Sequence, residues 1–283
     1  MTRTMALLFA AFAALPGALA QEGPKDDKEK ARKAEAAAKK AIDAYRSVKA
    51  TTPDEAVAAI RDHLDGADLH PLIRSTLTHV LQNHPFIDAR IAAVDALGRY
   101  KKDKEAARIL MQNSKLQKDV ELQKKCLRRF GAVAPYGMSV ELKWWFPNEN
   151  HALAREAIEA AEAVNSIRML QPLVELLGEL ERINDKEAQD PGQDPPLPGV
   201  PEGTPKNSNY EKVKRKKELI DPTRKAVNAL WKKHDSNAPL NTYDAAAKAL
   251  LANKKQLLAI QEQEDLEDRG VNPPDKVEKK EEK

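Results

Sequence analysis

The sequence feature that most constrains the fold is a short phrase that occurs twice. Leu69-His70-Pro71-Leu72-Ile73 and Leu170-Gln171-Pro172-Leu173-Val174 share the pattern L-x-P-L-[IV], 101 positions apart, close to three periods of 33. A second phrase recurs at that period: Arg90 to Gly98 (RIAAVDALG) is restated loosely from Gln123 to Gly131, with Gly98 and Gly131 spaced 33, and it recurs again, 31 positions on, from Ala154 to Glu162. Self-similarity of this length predicts a stacked array, because no single unit of that size buries its own apolar face. Apolar positions follow helical spacing throughout and never alternate for long, so no strand is predicted.

The helices expected on this basis span about 27–50, 53–65, 68–82, 86–99, 103–113, 118–132, 138–146, 151–163, 167–183 and 242–267. The clearest start is Thr52-Pro53-Asp54-Glu55: Thr caps, Pro fills the first turn, and Glu reaches back to the cap amide. Gly66 closes that helix, and turns are expected at His84-Pro85, Gly98, Ala134-Pro135 and Pro147-Asn148. Aromatic residues are only 5% of the chain, which predicts a core of small aliphatic side chains between close helices.

The ends and the middle punctuate this array. Arg3, the apolar run Met5 to Ala14, and Ala18-Leu19-Ala20 form an n-region, a short h-region and an A-x-A site, so residues 1–20 are predicted to be a signal peptide cleaved before Gln21. Residues 21–52 are then a charged, Ala/Lys-rich N-terminal helix, and 53–184 the repeat array. Residues 185–209 are a Pro-rich linker, since Pro191, Pro195, Pro196, Pro198, Pro201 and Pro205 exclude helix. Residues 210–268 form C-terminal helices, with a weaker echo of the repeat at 222–233, and 269–283 a disordered charged tail. Localisation is expected to be secreted or periplasmic. No later segment is apolar enough to cross a membrane.

Loss of Arg3 with the signal leaves 46 basic against 44 acidic residues, a balance that points away from nucleic acid. The one cysteine, Cys126, cannot close a disulfide within the chain, and it stands where the other copies have Ala93 and Ala157; a small buried residue is expected. His63, His70, His79 and His84 cluster in sequence, but their spacing splits them across turns and helix faces, so no metal site and no cofactor is predicted. No Gly-rich phosphate loop and no Ser/His/Asp order stands out, and no catalytic residue is assigned.

With Met138 aligned on Met169, Leu142, Trp145 and Phe146 match Leu173, Leu176 and Leu177 and are expected in the core. Trp144 matches Glu175, a solvent-side position, and is the expected interface anchor. Lys212, Lys214, Arg215, Lys216 and Lys217 make a basic run beside the linker, a second candidate binding surface for an anionic partner.

These phrases resemble those of HEAT-repeat, armadillo-like helical proteins of the short bacterial type. In that family one helix carries an R-x-x-A-[IV]-x-A-L-G-like phrase, matched by Arg90, Ala93, Val94, Ala96, Leu97 and Gly98. Its partner carries an L-x-P-L-[IV]-x-L-L-like phrase, matched by Leu170, Pro172, Leu173, Val174, Leu176 and Leu177. The match covers about 54–183. In the middle copies Lys125, Arg128 and Arg129 stand where the family prefers small or apolar residues, and Glu162 replaces the Gly. The resemblance implies an all-α, HEAT-like right-handed α-solenoid of stacked antiparallel helix pairs, acting as a non-catalytic scaffold for a protein partner or cell-envelope component. Two alternatives remain at this point: an enzyme, as in the family's lyase branch, and a peripheral envelope component docking through its basic C-terminal helices. Intact-mass analysis of the exported protein is expected to give a chain beginning at Gln21; a retained Met1–Ala20 would contradict the signal reading.

Overall fold

A computed structural model describes residues 24–66, 70–184, 208–234 and 239–271; the segments read as signal peptide, most of the Pro-rich linker and most of the charged tail lie outside them. The described residues are helical, with no strand among them. The α-helices are α1 (Pro24–Ser47), α2 (Pro53–His63), α3 (Pro71–Asn83), α4 (Ile87–Leu97), α5 (Lys104–Leu116), α6 (Val120–Val133), α7 (His151–Val164), α8 (Leu170–Arg182), α9 (Ser208–Trp231), α10 (Tyr243–Ala252) and α11 (Lys254–Asp268). Two 3-10 helices of note, Tyr136–Trp145 and Ile167–Met169, precede α7 and α8.

Local chemistry sets most of the boundaries. Thr52 accepts from the Glu55 amide while the Glu55 carboxylate accepts from the Thr52 amide, so both halves of the capping box start α2. Asp103, Asp119 and Asn150 cap α5, α6 and α7 by accepting from first-turn amides, without the reciprocal glutamate. His70 and His84 are turn residues: each Nδ1 accepts from an amide two positions on, that of Leu72 and that of Phe86. After α2, Gly66 turns the chain at φ +92°, a conformation open to glycine at little cost.

Alternate helices lie side by side. α2 packs on α4, α4 on α6, α6 on α7, and α7 on α9; α3 also meets α5, α5 meets the long 3-10 helix, and α8 meets α10. One hydrophobic core runs from Ala38 and Ile42 of α1 to Ala246 of α10. Small residues dominate where helices approach closely: Ala89, Ala93, Ala154, Ala157, Ala160 and Ala161 are all fully or nearly fully buried. A Cβ on Gly131 of α6 would stand 2.8 Å from Ala160 Cα of α7, so these two backbones touch. Cys126 is buried in the same seam, and burial pushes its thiol pKa up to about 12, far from a reactive thiolate.

The charged residues that depart from the family phrase tie neighbouring helices together. Arg129 and Lys125 of α6 reach Asp95 of α4 at 2.8 and 3.1 Å. Arg128 binds Glu156 of α7 through two hydrogen bonds of 2.9 and 2.7 Å, and Lys225 of α9 meets Glu162 of α7 at 3.1 Å. Glu156 is buried, so its bidentate arginine is the partner that makes that burial tolerable.

Two expectations need correction. Residues 138–146 lie in a 3-10 helix extending to Trp145 and not in an α-helix. The last helix is broken at Asn253 into α10 and α11. The echo at 222–233 lies largely within α9, which runs through Pro222 without interruption. Replacing Gly131 with Val is expected to lower stability by about 1–3 kcal/mol, the usual cost of overpacking, read as a shift in denaturant midpoint; an unchanged midpoint would mean that α6 and α7 do not approach this closely.

Candidate binding surfaces

The 3-10 helix Tyr136–Trp145 presents the expected anchor. At three residues per turn, Ser139, Leu142 and Trp145 share one face, and all three are buried. Phe146 follows them into the core. Trp144 falls on the opposite side and is 69% exposed, against 6% for Trp145. The Lys143 ammonium sits 5.6 Å from the Trp144 ring centre, so the indole carries a cation at its face.

Both ends of this helix are held. At its start, the Asp268 carboxylate of α11 accepts from the Tyr136 and Gly137 amides at 3.0 and 2.7 Å. The Tyr136 ring lies between two lysines, Lys102 at 4.3 Å and Lys233 at 4.6 Å. At its end, Arg215 donates from Nη2 to the Phe146 carbonyl at 2.9 Å. Lys115 of α5 reaches Glu141 at 3.8 Å, which brings the 70%-exposed Leu116 toward the same helix. Leu116 was not singled out in the sequence; its position next to the α5 C-cap Gln117 gives no periodic signal.

The basic run divides into two groups on α9. Lys212, Lys214 and Lys217 are exposed. Arg215 and Lys216 are half-buried and donate to main-chain carbonyls at helix ends, Arg215 to Phe146 and Lys216 to Ile183 at 2.9 Å. Val213, in the middle of the run, is buried. The run is therefore partly a fastening of α9 to its neighbours, with three lysines left facing water.

α11 is fixed by its own carboxylates. Glu264, 2% exposed, accepts from Ser166 Oγ at 2.7 Å, from the Ile167 amide at 2.8 Å and from Lys233 Nζ at 2.8 Å. Asp265 pairs with Arg168 at 2.6 Å and Glu267 with Lys102 at 3.4 Å. Asp268 and Glu264 thus accept from main-chain amides at the N-termini of the two 3-10 helices, where an anion is favoured.

Two cavities open on the surface. One, of about 460 Å³, lies between α8, α10 and α11 and is largely apolar, with Leu170, Val174, Leu250 and Leu257 among its lining. Its charged and polar lining includes Arg168, Glu175, Tyr243 and Lys254. The other, of about 580 Å³, lies between α1 and α3 and includes Tyr45, Arg46, His79 and His84. His79 is engaged with Asn83 at 3.1 Å, and partial burial holds the His84 pKa below its usual value. Among the described residues, no group of three His, Cys, Asp or Glu side chains is arranged to hold a metal ion. No helix among them is long and apolar enough to cross a membrane.

No family model matches this chain, and no curated protein or solved structure is significantly similar to it.

Trp145→Ala is expected to cost about 3–5 kcal/mol as a core truncation, while Trp144→Ala leaves the unfolding midpoint nearly unchanged. The reverse pattern in thermal or denaturant melts would show that the two indoles exchange roles.

Proposed function

We propose that this chain is an exported, non-catalytic scaffold, a HEAT-like α-solenoid that binds a protein or an envelope surface. The array reading is supported by the repeated phrases and by the way alternate helices neighbour one another, α2 to α4 to α6 to α7 to α9. Export is supported by Arg3, the apolar run Met5–Ala14 and Ala18-Leu19-Ala20. The observation that carries the binding reading is Trp144: a large aromatic, 69% exposed, on a helix fastened at both ends. A side chain held this way loses little freedom on binding, and Trp is the residue type most enriched among interface hot spots.

A peripheral envelope role is favoured by one observation, the three exposed lysines Lys212, Lys214 and Lys217 on one helix. Capture from envelope extract with immobilised protein from Gln21 onward separates the two. Trp144→Ala is expected to weaken capture about 30-fold, equivalent to about 2 kcal/mol, with salt having little effect. If capture instead survives Trp144→Ala and is lost with Lys212, Lys214 and Lys217 changed to Glu, the envelope role replaces the aromatic one. Capture indifferent to both sets, or turnover of a substrate, would overturn the proposal.

A further inference from the structure

The apolar cleft between α8, α10 and α11 is unusual in what stands beside it. Its floor is Leu170 and Val174 of α8, and its walls include Leu250 of α10 and Leu257 of α11. On its lip, Leu251 is 79% exposed and Leu258 is 48% exposed. Isolated exposed leucines are ordinary, but two of them bordering an open apolar cleft form a contiguous surface that water covers poorly. Neither helix is loose: α11 is fastened through Glu264, Asp265, Glu267 and Asp268, and Gly178 of α8 admits the Tyr243 ring of α10 so closely that a Cβ there would stand 2.6 Å from it. The surface is thus pre-formed, which lowers the entropy lost on association.

A two-fold interface needs a patch that is complementary to itself, and a projection beside a recess, with charges of both signs, supplies that. This patch carries all of these. Leu251 projects and the cleft is the recess. Lys254 and Glu175 both line the cleft, yet they do not pair with each other. Glu175 takes only the neutral Gln171 amide at 2.9 Å, and Lys254 has no ion pair among the described residues. A second copy facing this cleft offers it an exposed leucine, and it carries an unpaired lysine and an unpaired glutamate of its own to set against Glu175 and Lys254. A single anionic amphiphile would neutralise Lys254 but leave Glu175 without a cation; a second copy brings a partner for each charge as well as apolar surface to cover Leu251. We propose that this face is a self-association surface, on which a second copy of the same chain seats through Leu251 and a reciprocal Lys254–Glu175 pair. The inference is independent of the scaffold reading.

The test is the mass of the full chain in solution, followed by light scattering or sedimentation across a micromolar concentration series under reducing conditions. The wild type is expected to pass from the mass of one chain to that of two. Leu251→Glu should weaken that association at least about tenfold without moving the thermal midpoint, because Leu251 is exposed. Lys254→Glu and Glu175→Lys should each weaken it, and the two together should restore it. Trp144→Ala should leave it unchanged. A wild type that keeps the mass of one chain throughout overturns the proposal, as does a dimer that Leu251→Glu leaves intact. Failure of the paired charge reversal to regain what each single change loses would overturn the two-fold arrangement.

Discussion

Close approach of helices through small side chains is the constraint on which the rest of this structure depends. Most of the helices in the central rows are 11 to 14 residues long, a length at which an isolated helix is marginal in water. Their stability must come from packing, and the chain offers few large aromatics with which to fill wide gaps. Instead Gly131 lies against Ala160, and Ala89, Ala93, Ala154 and Ala157 let neighbouring helices draw together. Leucines and isoleucines such as Ile60, Leu77, Leu110 and Leu173 then fill the space between the rows. At such short range a single extra methyl meets main chain, with no flexible side chain to move aside.

Close packing of uncharged faces leaves the edges of the rows to be aligned by charge. Asp95, Glu156 and Glu162 each meet a cation from the adjacent helix, so the ladder α4–α6–α7–α9 has a paired acid at every step. α11 extends the same logic across the other row. Asp268 supplies the cap that the Tyr136–Trp145 helix lacks locally, and Glu264 adds to the local Ser166 cap of the second 3-10 helix from a buried position where an unpaired carboxylate would be costly. The consequence for binding is direct. The helix that displays Trp144 is fixed by Asp268 at one end and Arg215 at the other, and the cleft beside Leu251 has α11 as one of its rigid walls.

Much of the helical layout was legible because its signals are local. Thr52 and Glu55 announce the start of α2, the Ala93–Cys126–Ala157 correspondence announces a buried thiol, and the match of Trp144 with Glu175 announces an outward indole. The 3-10 character of Tyr136–Trp145 was not legible, since Leu142 and Trp145 suit a helix of either pitch and only the buried Ser139 distinguishes them. The break at Asn253 has no Pro or Gly to mark it. The fastening of α11 was beyond reach for a different reason. Glu264 meets Ser166 98 positions away, and Arg215 meets Phe146 69 positions away, with nothing in the local pattern to pair them. The exposed Leu251 and the cleft beside it depend on that long-range docking, so they too emerge only in three dimensions.

Native-state hydrogen exchange under increasing denaturant tests this account most directly, because it reads whether the central helices share one packed core. Amides in α4, α6 and α7 are predicted to be the slowest, exchanging together through a common opening, and Gly131→Val should lower the protection of all three helices at once. Independent exchange of α6 and α7, each through its own local opening and with Gly131→Val affecting α6 alone, would contradict the claim that backbone contact between them holds the central helices together.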